Sequence, residues 1–164
     1  CAQVLLDAGA DVAARDGEGR TALHLAVAPM GASESNDVEV AKVLLQAGAD
    51  VAARSNDGRT ALHFAAQDGR PDVAKLLLRS RASAAATDAE GQTPLHLACR
   101  GGRAEIARVL QNSGGDFFAR DNEGRTPQDR VRSNGHAGFA ALLREETRRA
   151  RHVAFAMGLH PRVG

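Results

Sequence analysis

The sequence has no tryptophan and no tyrosine, and only five phenylalanines in 164 residues. A core without large rings has to be filled by Leu, Val and Ala, which suits short helices packed closely together. Lysine is almost missing as well: Lys42 and Lys75 stand alone, and every other basic residue is arginine. Charge of one sign is not in excess, since 21 basic residues face 20 acidic ones for a formal net charge of +1. That balance, without interleaved aromatics, argues against a nucleic-acid partner. No apolar run reaches the roughly 18 residues of a membrane span, and no signal-peptide pattern is present. The chain opens in mid-repeat at Cys1, so a removed N-terminal segment stays open and a segment of something longer is favoured.

Catalytic and metal-binding patterns are also missing. There is no HExxH, no paired CxxC, no Ser–His–Asp order and no phosphate-binding loop. No nucleophile–base pair stands out, so the chain is expected to be non-catalytic, with no cofactor and no metal. The two cysteines, Cys1 and Cys99, fall two and a half repeats apart. Helices pack about 8–10 Å apart, too far for a bridge that needs Cα atoms within about 7 Å. Both read as buried thiols of a reducing compartment.

What the chain has is repetition. Gly19-Arg20-Thr21-Ala22-Leu23-His24, Gly58-Arg59-Thr60-Ala61-Leu62-His63, Gly91-Gln92-Thr93-Pro94-Leu95-His96 and Gly124-Arg125-Thr126-Pro127 place their threonines 39, 33 and 33 residues apart. A unit of about 33 residues cannot bury its own apolar face, so the copies must stack into a solenoid. Between residues 88 and 120 a turn at Asp88–Gly91 precedes Thr93 as helix cap and Pro94 at the first helical position. Gly101-Gly102 then ends the first helix, and a second runs from about Ala104 to Asn112 with Ile106, Val109 and Leu110 on one face.

The Thr-Pro-Leu-His-Leu-Ala phrase at 93–98, followed by Gly102 and the 105–110 helix, resembles an ankyrin repeat. So does Val43 to Val51. The resemblance covers roughly residues 1 to 144 and implies an all-α ankyrin-repeat solenoid, with helix-turn-helix repeats and β-hairpin-like finger loops. It divides the chain into a partial repeat at 1–15, a repeat with a six-residue inter-helix insertion at 16–54, repeats at 55–87 and 88–120, a capping repeat at 121–144, and a C-terminal helix and tail at 145–164. It also implies that His24, His63 and His96 bond the threonine three residues earlier and tie neighbouring loops, rather than hold a metal.

The copies differ in four places. The insertion lies within Pro29 to Asp37 and reads as an exposed loop, with Asn36 and Glu39 as a capping box restarting the second helix. It is either tolerated or a partner contact. Arg81-Ala82-Ser83 replaces the Gly-Ala-Asp that begins at Gly9, at Gly48 and, nearly, at Gly114, which strains the chain by about 1 kcal/mol if the site stays left-handed. Phe117-Phe118 replaces small residues; Phe117 packs inward, and Phe118 either packs on the last repeat or is an exposed anchor. Finally, Gln128-Asp129-Arg130 replaces Leu-His-Leu, as suits a terminal cap.

The resemblance implies docking on finger tips and on the concave face of the first helices. The candidate contact residues are Glu18, Asp57, Glu90 and Glu123 at the tips, and the row Arg20, Arg59, Gln92 and Arg125 before each threonine. Gln67, Asp68, Arg100, Ser133 and Asn134 are the concave helix ends. Arginine forks suit carboxylates, so a protein partner with an acidic surface is one expectation. Equally, each arginine could pair with a neighbouring tip acid. The function expected is a monomeric, cytoplasmic or nuclear interaction scaffold. Its alternative is the targeting module of a larger enzyme or ubiquitin-ligase adaptor.

Overall fold

Seven helices appear in the computed structural model, which describes residues 11–27 and 34–133, without the side chains of residues 34–36, 132 and 133. In chain order they are α1 (Ala22–Val27), α2 (Glu34–Gln46), α3 (Ala61–Asp68), α4 (Pro71–Arg79), α5 (Pro94–Arg100), α6 (Ala104–Asn112) and α7 (Pro127–Ser133). Cys1 and the half repeat at 1–10, residues 28–33, Asn134 and the expected helix at 145–164 lie outside the described residues.

The helices form two layers. The first helix of each repeat packs on its counterpart, α1 on α3 on α5 on α7, and the second helices stack as α2 on α4 on α6. Leu23, Leu62 and Leu95 occupy one repeat position and are almost wholly buried. Leu44, Leu77 and Leu110 do the same in the outer layer. Alanines such as Ala65, Ala66 and Ala98 fill the gap between layers with no exposed surface. The missing aromatics are thus explained: short side chains let helices of six to nine residues approach closely.

Two sequence expectations are corrected. The insertion is only partly a loop, because α2 has 13 residues where α4 and α6 have 9. It begins at Glu34, so Asn36 lies inside the first turn and does not cap it. Asp37, in the added turn, accepts a hydrogen bond from Arg70 Nη1 at 2.6 Å, which fastens the insertion to the next repeat. The arms after the second helices begin in a turn. Asp50 takes the Ala52 N–H on its carboxylate and the Ala53 N–H on its carbonyl, which folds the arm's start into a turn. Among the described residues the strand signal is a single bridge between Arg15 and Thr21.

Arg81 keeps the left-handed backbone of the glycines it replaces. Its φ is 68°, beside 88° at Gly48 and 90° at Gly114. Nothing stands within 4 Å of where a Cβ would sit at Gly48 or Gly114, so the penalty of a side chain there is conformational rather than steric. Arg81→Gly is therefore expected to raise stability by about 0.5–1 kcal/mol, the left-handed cost less glycine's larger unfolded entropy. Gly48→Arg should lower it by a similar amount. Urea unfolding of both variants checks the pair, and a loss of stability in Arg81→Gly would contradict this account.

Candidate functional site

Each finger is a short turn built on one side chain. In fingers one, three and four that residue is Asp16, Asp88 or Asp121. Its Oδ1 accepts the N–H groups two and four residues on, at 2.9–3.0 Å. Ser55 takes the same place in finger two and accepts the Arg59 N–H at 3.2 Å. The turn residue's own N–H then donates to the carbonyl four residues later, closing the loop. Successive fingers are tied tip to tip: Asn56 N–H donates to Glu18 O, Ala89 N–H to Asp57 O, and Asn122 N–H to Glu90 O. At Gly91, φ is +73° and the Asn122 backbone nitrogen would stand 2.9 Å from an added Cβ, so this register admits only glycine there.

The histidines fix the fingers to the helices. The N–H groups of Thr21, Thr60 and Thr93 donate to Nδ1 of His24, His63 and His96 at 3.0–3.1 Å. Each ring's Nε2 lies 3.1 Å from a carbonyl of the following repeat, that of Arg59, Gln92 or Arg125. A backbone N–H only donates and a carbonyl only accepts, so these partners assign the proton to Nε2 and leave Nδ1 as acceptor. Burial lowers all three imidazoles from their ordinary value of 6.5, with His63 brought to about 4. They are structural, as the resemblance implied, and no group of three metal-ligating residues occurs among the described residues. Cys99 is likewise inert, a fully buried thiol that burial pushes up to about 12.

The row before each threonine is committed inside the chain. Arg20 meets Asp16 and Glu18, each at 2.8 Å. Arg59 crosses to Asp88 of the next finger at 3.3 Å and also donates to Gln67 Oε1 at 3.1 Å. Arg125 meets Glu123 at 3.0 Å. Gln92, the uncharged member, is 1% exposed and donates from Nε2 to the Glu90 carboxylate. The tips themselves, Glu18, Asp57, Glu90 and Glu123, are exposed. Of the concave helix ends, Gln67, Asp68 and Arg100 are half-buried, and burial raises the Asp68 carboxyl against the fields of Arg70 and Arg103. Ser133 ends α7, its side chain undescribed, and Asn134 lies beyond the described residues.

Two features were hidden from the sequence. Asp88 has a side chain only 1% exposed, so Arg59 buttresses a buried carboxylate instead of lying free on the surface. At Asp121, burial would raise the carboxyl, but hydrogen bonds from Arg130 and from the N–H groups of Arg125 and Glu123 outweigh it. Phe117 is buried as expected, and Phe118 is 51% exposed.

Two measurements follow from these partners. The unfolded imidazoles take up protons below about pH 6.5 while the folded ones stay neutral, so stability is full above that pH and falls as pH drops toward 4. His63, brought to about 4, contributes a slope of up to about 1.4 kcal/mol per pH unit in that window, and His24 and His96 add to it in the same direction. Urea titrations between pH 7 and pH 4.5 check this; a flat profile would mean the rings are not held neutral. Second, Arg59→Ala should cost about 1–3 kcal/mol because it strands Asp88. Arg20→Ala, whose partners reach solvent, should leave stability nearly unchanged. Equal effects at the two arginines would refute the distinction.

Family models described as ankyrin repeats (3 copies) match residues 28–121 and 80–152, and one described as ankyrin repeats (many copies) matches residues 1–28. No curated protein matches the chain.

Proposed function

The chain belongs to the ankyrin-repeat family, and from that we propose a non-catalytic scaffold that binds another protein along its finger tips and concave helix face. Ankyrin repeats are generally protein–protein interaction modules and are typically non-catalytic. The observation that carries the reading is the continuous finger edge. Main-chain bonds from Asn56 to Glu18, Ala89 to Asp57 and Asn122 to Glu90 hold four exposed tips in one row. A row held by its own backbone meets a partner with little conformational entropy left to lose. We propose further that the chain works as a monomer in the cytoplasm or nucleus, ankyrin-repeat proteins being commonly intracellular. Among the described residues no helix is long and apolar enough to cross a membrane. The repeat boundaries at 16, 55, 88 and 121 each open on the turn-forming residue of a finger, which favours them as the units.

An acidic partner surface was one reading of the arginine row. It would have to displace in-chain acids from Arg20, Arg59 and Arg125, each already within 3.3 Å of a carboxylate. The row therefore contributes less to affinity than free arginines would.

The edge is tested without assuming its charge. Gly17 and Ala89 are exposed tip positions, and nothing lies within 4 Å of a Cβ built at Gly17. The double variant Gly17→Trp, Ala89→Trp should keep its melting temperature and lose about tenfold or more in affinity for a partner identified by affinity capture. Unchanged calorimetric affinity would place the partner elsewhere.

A further inference from the structure

Charge on the finger edge is compensated unevenly. On the first and last described fingers the tip acid has a cation of its own finger: Glu18 meets Arg20, and Glu123 meets Arg125. The two central fingers lack this. Arg59 is drawn away from its own tip, Asp57, to the buried Asp88 of the next finger. In finger three the row holds Gln92 where the others hold arginine, so Glu90 has a carboxamide as its hydrogen-bond partner and meets Arg130 only through its field. Among the described residues, neither Asp57 nor Glu90 has an ion pair.

Gln92 adds a second, independent sign. It is 1% exposed, its Nε2 is spent on Glu90, and its Oε1 accepts no hydrogen bond. It is the one buried side-chain acceptor left so among the described residues. A buried acceptor without a donor is costly, so a donor is to be looked for. Oε1 shares its carbon with the Nε2 that holds Glu90, so the orphaned acceptor sits directly beside a tip carboxylate. Arg54, which reaches the arm of finger three, is engaged with the carbonyls of Gly58 and Thr87, and Arg130 is held by Asp121 and Glu123.

We propose that the partner docks a basic side chain, an arginine in preference to a lysine, on the two central fingers, with Asp57 and Glu90 as its counter-charges and Gln92 Oε1 as the acceptor that specifies it. The proposal rests on the finger-edge reading above and supplies the partner's chemistry. A guanidinium carries its N–H groups on one flat edge. One binds the Glu90 carboxylate, and rotation of that exposed side chain brings the next to Oε1. An ammonium is a point donor and cannot span both acceptors with fixed geometry.

The test uses three blocked, fluorescein-labelled peptides of alternating glycine with arginine, lysine or glutamate, titrated by fluorescence anisotropy against the full chain. The arginine peptide should bind saturably and the lysine peptide several-fold more weakly, while the glutamate peptide does not bind. Gln92→Leu removes the acceptor, and Gln92→Arg installs the residue the other fingers carry. Each should weaken the arginine peptide about tenfold at an unchanged melting temperature, as should Glu90→Gln, whereas Glu18→Gln should have little effect. If Gln92→Leu does not fold, Gln92→Arg decides. Tighter binding of the glutamate peptide, no binding of the arginine peptide, or arginine-peptide affinity unchanged from the wild type in both Gln92 variants overturns the proposal. If the captured partner still loses affinity for the Gly17→Trp, Ala89→Trp chain, the finger edge survives that failure. A partner indifferent to the tryptophans and to the Gln92 variants removes both readings.

Discussion

The bond from each histidine Nε2 to a carbonyl of the next repeat is the constraint on which the array depends. It joins a helix cap to the following finger, and it lands on the residue that precedes the next threonine. The same residue carries the side chain of the arginine row. Backbone position there is therefore set from the preceding repeat, while the side chain is left to choose its partner. A neutral ring is required at both ends, because Nδ1 must accept and Nε2 must donate. Burial enforces that neutrality, and the fold inherits a weakness toward acid from it.

Once the carbonyls are pinned, the fingers stand at a fixed spacing and their side chains divide into two kinds. Asp16, Asp88 and Asp121 spend one oxygen on the turn's own N–H groups and the other on an arginine. These carboxylates are part of the scaffold. Two residues on, Glu18, Asp57, Glu90 and Glu123 carry no such duty and face solvent. The arginines were the more conspicuous charges in the sequence, but scaffold and tip acids engage them first. What the edge has left over is acceptor capacity at its centre.

The fold was legible because its signals recur. Threonine, leucine and histidine recur in register, and glycines recur at the finger turns and at the helix ends. The left-handed site at Arg81 could be named from comparison within the chain, since its neighbours in register are Gly48 and Gly114. The start of α2 was not legible, because a polar run such as Glu34 to Asp37 reads as a loop until a partner such as Arg70 is known to hold it. The finger and helix-end positions of the candidate residues were legible in the sequence, but their partners in the stack were not. Whether Arg59 meets its own tip or the next finger depends on the burial of Asp88, a property of the stack and not of either residue. Gln92 was visible as a break in the row, yet its burial and its unsatisfied oxygen arise only from packing.

The last described repeat shows how the same logic ends. Asp129 stands where the other copies have histidine, and its Oδ2 accepts the Thr126 N–H at 2.9 Å and the Thr126 hydroxyl at 2.7 Å. It thus performs the capping half of the histidine's work. A carboxylate has no N–H with which to reach a carbonyl beyond it, so the onward half is lost. Next to it, Arg130 stands where the other copies have Leu25, Phe64 and Leu97, and it turns back to Asp121 in its own repeat's finger. Both residues bond within their own repeat, to Thr126 and to Asp121, where His63 and His96 also bond forward. Between the described repeats the forward tie is one ring N–H per repeat, and a carboxylate cannot replace it as a donor.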